Sequence, residues 1–160
     1  MVEVQSYRLG FETFSAQDHN KKVEVKGKIN TANIITPELS IATFKCDHCG
    51  KMYSQPQGGG KCKLLPPEIC KTSTCKNKRP SFTFIQAKSK FEDYQEAWLK
   101  PLEDPKIRIG RGQKIILKND LVGVKEGETV RVTGKLGFEL KGKTTLARPI
   151  IFVTKMKRLD

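Results

Sequence analysis

The sequence predicts an all-β fold, a small five-stranded barrel interrupted by a polar, cysteine-bearing insert. Three observations carry that prediction. Short runs alternate apolar with charged residues and are separated by turn residues, the signature of half-buried strands. Glycines fall inside those runs, as sharply curved barrel strands require. Four of the five cysteines gather in two close pairs within one Gly- and Lys-rich stretch. A chain of 160 residues suits one domain with a small insert.

The first strand is the plainest. Val23, Val25 and Ile29 alternate with Glu24, Lys26 and Lys28, and Gly27 interrupts them as a bulge glycine would. Residues 45–80 are loop-like, with Gly58-Gly59-Gly60, Pro66-Pro67, eight basic residues and two acids. Phe82, Phe84 and Ile85 then resume a strand pattern. Phe91, Tyr94 and Trp98 have helical spacing, yet the segment also reads as an irregular strand. A short apolar run, Lys114-Ile-Ile-Leu117, comes next. Gly127 opens a turn into alternating Val130 and Val132, and Ile150-Ile-Phe-Val-Thr154 makes the last strand. Together these describe an oligonucleotide/oligosaccharide-binding (OB) barrel. The expected architecture is a five-stranded OB-fold barrel with an inserted zinc-ribbon-like lobe. Its expected parts are an N-terminal extension (1–22), the OB-fold domain (23–44 and 81–158) and a zinc-binding insertion (45–80).

Lys and Arg number 30 against 17 Asp and Glu, a formal charge of +13 and a pI near 9.6. Such a balance favours polyanions, nucleic acid first. No apolar run approaches the roughly 18 residues of a membrane span. The start lacks the charged and apolar regions of a secretory signal. The expectation is a soluble, intracellular protein.

Cysteines in such a chain point to metal or redox chemistry before disulfides. Cys46-Asp-His-Cys49 and Cys70-Lys-Thr-Ser-Thr-Cys75 form two knuckles with 20 residues between them. Each tight turn presents two thiolates, and the second pair closes one tetrahedral site. Ordinary buried thiols rarely fall in two close pairs within polar sequence, and a redox motif leaves the second pair unexplained. The expected ligands of one Zn²⁺ are therefore Cys46, Cys49, Cys70 and Cys75. Cys62 either replaces one of these ligands or, the favoured reading, is a spare thiol, and His48 lies outside the ligand set. Four thiolates and one Zn²⁺ contribute −2, leaving about +11 of the +13.

One motif is refused. Gly137-Phe-Glu-Leu-Lys-Gly-Lys-Thr144 satisfies G-x-x-x-x-G-K-[ST]. A phosphate-binding loop needs a glycine-rich turn that opens a helix. Here Phe, Glu and Leu fill the loop, and Thr145-Leu-Ala-Arg-Pro149 followed by a β-branched run is poor helix material. The stretch reads instead as a hairpin with Lys141-Gly-Lys143 at its tip.

Several strings, in order, resemble one family. Val23-Glu-Val-Lys-Gly-Lys-Ile29 leads to Ile41-Ala-Thr-Phe-Lys-Cys-Asp-His-Cys-Gly50 and the second cysteine pair. Then come Ser89-Lys-Phe-Glu-Asp-Tyr-Gln95, Arg111, Ile115-Ile-Leu-Lys-Asn-Asp-Leu-Val122 and Glu126-Gly-Glu-Thr-Val-Arg-Val-Thr-Gly134. From about residue 21 to 158 this is similar to the N-terminal OB domain of minichromosome maintenance (MCM) proteins, the replicative helicases of archaea and eukaryotes. Gly110 stands where that family has Pro before Arg111, and Leu99-Lys100-Pro101 replaces its usual strand end. The helical subdomain expected before the barrel is reduced to about twenty residues, and the AAA+ ATPase module is not among these residues. The resemblance therefore implies either an N-terminal part of a longer chain or a short stand-alone relative.

What the resemblance implies is a non-catalytic DNA-binding and ring-assembly module, not an enzyme, forming a homo-oligomer of six subunits. It would act in DNA replication with other replication proteins, in an archaeal cytoplasm or nucleoid or a eukaryotic nucleus. Single-stranded DNA is favoured over double-stranded DNA, because an OB groove suits an unpaired backbone. The expected contacts are Lys106, Arg108, Arg111, Lys114 and Lys118, five positives with no acid between them, and Lys135, Lys141, Lys143 and Arg148 of the hairpin region. Arg111 is suited to a bidentate phosphate grip. Phe91, Tyr94, Trp98 and Phe138 are candidate stacking platforms, although core packing is the commoner fate of such residues. A zinc-OB structural adaptor and an RNA-binding module are the competing readings. The adaptor reading can coexist with DNA binding, whereas the RNA-binding module explains the charge but not the ordered strings.

Overall fold

The computed structural model describes residues 5–6, 14–57, 64–72, 75, 80–100, 102 and 112–159. Nine strands lie among them: β1 Gln5–Ser6, β2 Lys22–Ala32, β3 Thr36–Cys46, β4 Met52–Pro56, β5 Phe82–Phe84, β6 Lys90–Lys100, β7 Gln113–Lys118, β8 Thr129–Leu140 and β9 Ala147–Arg158. Helical structure among the described residues is confined to short 3-10 turns at Ala16–Asp18, Gln86–Lys88 and Asn119–Leu121. No helix among them is long and apolar enough to cross a membrane. The chain forms two compact units, Met1–Thr36 with Asp93–Asp160, and Pro37–Glu92.

The first unit is a closed barrel. β2 pairs antiparallel with β8, β8 with β9, β6 with β7, and β6 returns to β2; β7 and β9 run parallel. Counted along the chain, the first barrel strand therefore pairs with the second and fourth, and the third lies parallel to the fifth. This is the five-stranded OB barrel that the alternating sequence predicts. Inward positions carry Val23, Val25 and Ile29 from β2, Ala97 and Leu99 from β6, and Ile115 and Leu117 from β7. Val130, Val132 and Leu136 from β8 and Ile151 and Val153 from β9 complete them, all at most 8% exposed. Burying each aliphatic side chain stabilises the fold by about 1.5–3 kcal/mol before chain entropy is counted.

One reading of the sequence is corrected here, and one left between two alternatives is decided. Gly27 is not a bulge: it lies in register opposite Val130, and the irregularity of β2 falls between Ile29 and Thr31. Residues 91–99 belong to β6, a strand, because the core-facing residues are Gln95, Ala97 and Leu99 at a period of two. Of the helix-spaced aromatics, Tyr94 and Trp98 lie on the opposite face and are half-buried, while Phe91 shares the parity of the core row but stands exposed near the start of the strand.

The second unit is smaller. Within it β3 pairs antiparallel with β4 on one side and β5 on the other. The Thr43 hydroxyl donates to the Lys88 carbonyl at 2.8 Å, and the Thr43 amide donates to the Ser89 hydroxyl at 2.9 Å. These bonds tie β3 to the turn before β6. Phe44 packs against Phe84 and Tyr53 against Phe82, with ring centroids 6.0 Å apart in both pairs. The unit thus holds a small aromatic cluster beside its cysteines, to which residues 45–80 contribute Tyr53 and the flanking strands the other three rings.

Candidate metal centre and cationic hairpin

In the second unit the backbone brings the two knuckles together. The Cys46 amide donates to the Lys51 carbonyl and the Gly50 amide to the Cys46 carbonyl, both at 2.9 Å. Gly50 takes φ +78°, a left-handed turn that a side chain would strain. The Asp47 carboxylate accepts hydroxyl bonds from Thr83 and, at 2.8 Å, from Ser81, fastening the first knuckle to β5. The Thr83 and then the Ser81 bond hold the Asp47 carboxyl below its ordinary pKa. In the second knuckle the Cys75 amide donates to the Thr72 carbonyl at 3.0 Å.

The sulfur atoms of Cys46, Cys49, Cys70 and Cys75 all lie within 4.8 Å of one another. Cys46 and Cys75 are 3.9 Å apart, Cys49 and Cys70 3.5 Å. Four thiolates around one ion at the Zn–S distance of about 2.3 Å would stand roughly 3.8 Å apart, so the donor set fits a closed tetrahedral site. The Tyr53 hydroxyl lies 3.2 Å from the Cys70 sulfur and 3.1 Å from the Thr72 hydroxyl. Chiefly through that tyrosine bond, Cys70 is pulled down from the usual thiol range to about 6, and Tyr53 is pushed up in return. A thiolate stabilised in this way is a ready ligand. Sequence spacing shows the four cysteines; nothing in it marks Tyr53, which reaches the site from β4. His48 is exposed, and Cys62 lies outside the described residues.

In the first unit, residues 137–144 are not a phosphate-binding loop. Gly137 to Leu140 pair with β9 through Ile150, Pro149, Arg148 and Ala147. The chain turns at the tip, where the Lys141 amide donates to the Leu146 carbonyl at 2.8 Å and the Thr144 amide to the Lys141 carbonyl at 3.1 Å. Those amides are spent inside the turn, and the chain continues into strand β9 rather than a helix. Lys141, Lys143 and Arg148 stand exposed on this hairpin, together with Leu140 and Leu146.

The other sequence-predicted contacts divide. Lys135 is exposed on β8 and Lys118 half-buried at the end of β7, opposite Tyr94. Lys114 is turned to an internal role: its ammonium lies 3.3 Å from Glu96, 3.0 Å from Glu139 and 5.9 Å from the centre of the Trp98 ring. Trp98 is half-buried, and Tyr94 donates its hydroxyl to Glu96 at 2.9 Å. Phe138 packs beside His19, ring centroids 5.4 Å apart. Lys106, Arg108 and Arg111 lie outside the described residues.

In OB barrels the connections between strands one and two and between strands four and five commonly bind oligonucleotides. Here the first carries the whole cysteine unit, and the second is the cationic hairpin.

Comparison with known proteins agrees with that architecture. The family described as the MCM OB domain matches residues 11–138. The DNA replication licensing factor MCM6 of Arabidopsis thaliana is 29% identical over 140 residues, 83% of this chain and 16% of that protein. The DNA replication licensing factor MCM4 of Oryza sativa subsp. japonica is 32% identical over 120 residues, 73% of this chain and 14% of that protein. The chain thus spans about one-sixth or less of the length of these relatives. The crystal structure of the N-terminal domain of an archaeal MCM shares the fold, with a TM-score of 0.79 at 21% identity, over 97% of this chain and 62% of that one.

Proposed function

Because the chain belongs to the MCM OB-domain family, we propose that it is a non-catalytic DNA-binding and ring-assembly module of an MCM-like replication protein, working inside the cell. The observation that carries this reading is the hairpin of β8 and β9, whose tip presents Lys141 and Lys143, with Arg148 exposed on the adjoining strand, at a connection where OB barrels meet oligonucleotides. Its cations grip phosphates, so binding tolerates any sequence and weakens with salt. Lys118 and Lys135 are further proposed contacts away from the tip, and the contacts expected at Lys106, Arg108 and Arg111 lie outside the described residues. Lys114 is spent on Glu96 and Glu139 and takes no part.

Cys46, Cys49, Cys70 and Cys75 would hold one Zn²⁺. Four thiolates leave no open position, so the ion supplies structure and no catalysis. The division of the insertion from the barrel is functional in this reading. The barrel binds DNA, while the metal lobe, which exposes Leu64, Leu65 and Ile69, contacts neighbouring subunits of a six-membered ring or a replication partner.

The test is fluorescence anisotropy with labelled single-stranded DNA of mixed sequence across a salt series. If about six phosphates are neutralised, the slope of log K against log salt is roughly −4. Lys141→Ala combined with Lys143→Ala should weaken binding to every sequence alike. Equal binding by that variant would remove the hairpin from the interface. Tighter binding to RNA of the same sequence would favour the RNA-binding reading instead.

A further inference from the structure

We infer that the outer face of β2, β8 and β9 is a second surface for single-stranded nucleic acid, with Phe152 as a base-stacking platform among cations. The inference rests on the barrel being a nucleic-acid-binding unit, but it concerns a different surface from the hairpin tip.

Register places the residues. Lys22 lies opposite Lys135, which lies opposite Phe152; Lys26 lies opposite Arg131, which lies opposite Lys157. The row between them is Glu24, Thr133 and Lys155. The inward neighbours Val23, Val25 and Val132 are buried, so these rows point outward. With strands about 4.8 Å apart and rows two residues apart on β2 and β8 (three apart on β9 between Phe152 and Lys155, where the ladder shifts), six cations occupy a patch of roughly 13 by 10 Å. Glu24 is the one carboxylate on these rows, and it is shared with Arg131 at 3.6 Å.

Like charges directly opposite on neighbouring strands destabilise a sheet. Lys22 against Lys135, and Lys26 and Lys157 on either side of Arg131, carry that cost with one acid to relieve it. A polyanion laid across the rows removes it.

Phe152 supplies what a merely soluble surface would not need. It lies in an apolar run whose other members, Ile150, Ile151 and Val153, are buried, yet it is 43% exposed. Its ring lies across Gly137, where an added Cβ would stand 2.5 Å from Cε2. The backbone thus supports the ring from below while the rest stays open, flanked by Lys135. An aromatic face among lysines is the arrangement that holds unpaired bases without reading sequence.

The test compares labelled oligothymidine with an abasic strand of the same length, by anisotropy on the whole chain. Phe152→Leu should bind oligothymidine about tenfold more weakly with an unchanged salt slope, and should match the unaltered protein on the abasic strand. Phe152→Trp should restore oligothymidine binding, separating stacking from any loss of fold. Lys155→Ala with Lys157→Ala should weaken binding to both probes and flatten the slope by about 1.4. The Phe152→Leu effect should persist when Lys141 and Lys143 are both alanine. Wild-type binding by Phe152→Leu and by the Lys155/Lys157 variant, while the hairpin variant is impaired, would overturn this surface and leave the hairpin reading standing. Indifference of all three variants would overturn both.

Discussion

The ammonium of Lys114 lies 3.0 Å from the carboxylate of Glu139, with the side chain of Lys114 only 13% exposed. In sequence Lys114 stands in an acid-free basic run. Its partners, Glu139 from β8 and Glu96 from β6, arrive only when the barrel closes. The pair is half-buried, between a surface pair and a buried one in strength. Lys114→Met should therefore destabilise the barrel by about 1–3 kcal/mol, by leaving two carboxylates together without their cation. DNA affinity at matched salt should change less than it does for Lys141→Ala. Melting and anisotropy measured together separate the two effects; a large affinity loss with unchanged melting would return Lys114 to the interface.

The side-chain amide of Gln95 should prove a structural keystone. It is 3% exposed. Its nitrogen donates to the Asn33 and Val124 carbonyls at 3.0 and 3.1 Å, and its oxygen accepts from the Gly123 and Val124 amides at 2.8 and 3.2 Å. Gln95→Leu keeps the volume and strands those backbone groups. The expected cost is about 2–4 kcal/mol, or a melting temperature lower by roughly 5–15 °C. A thermal melt of the variant decides it, and a shift of a degree or less would mean the loop at 122–124 is held by other means.

These two residues show what was legible in sequence. Alternation revealed the strands with one wet face, because Val23, Val25 and Val130, Val132 repeat at a period of two. It failed in β6, where the buried positions include the polar Gln95 and the small Ala97, while Tyr94 and Trp98 lie on the opposite face and Phe91 is exposed near the strand's start. The four cysteines were legible because a knuckle needs a local turn. Tyr53 was not, since its contact with Cys70 spans a loop. Phe152 was hidden inside an apolar run that reads as core, and only the register of β9 against β8 turns it outward.

The metal site should lose its ion more readily without Tyr53. The hydroxyl favours the Cys70 thiolate, which titrates near 6 rather than in the usual thiol range. A depressed thiol pKa stabilises the folded lobe fully above the unfolded value and loses that contribution as pH falls towards the folded one. In Tyr53→Phe the proton competes at higher pH. Zinc should therefore leave at a higher pH than from the unaltered protein, with affinity against a chelator reduced about tenfold. Replacing any of the four cysteines by serine should abolish stoichiometric binding, whereas Cys62→Ser should retain one zinc per chain. Metal analysis across a pH series reads all of these.

ATP should not bind at the Walker-like string. The Lys141 and Thr144 amides are bonded within the turn, and no helix begins at Thr144. Calorimetric titration with Mg-ATP should give no heat beyond dilution, and Lys143→Ala should leave that baseline unaltered. Saturable binding lost in Lys143→Ala would mean the hairpin opens into a phosphate cradle.

Self-association should arise from the metal lobe. It exposes Ile69 at 62%, Leu65 at 51% and Leu64 at 44% within one short stretch. Scattered apolar side chains need no explanation, but three so close together form surface that a partner gains by covering. The cost of leaving each in water is of the order of 1 kcal/mol or more, while a charge of +13 opposes contact between copies. Association should consequently be weak in low salt and strengthen with salt or with DNA, which neutralises the repulsion. Sedimentation should show species up to a hexamer under those conditions. Ile69→Asp should shift them towards monomer while leaving zinc content and single-strand affinity per chain unchanged. A strict monomer at high protein concentration, with and without DNA, would sink the assembly role. Loss of zinc together with association in Ile69→Asp would instead show that the residue holds the lobe together rather than its neighbours.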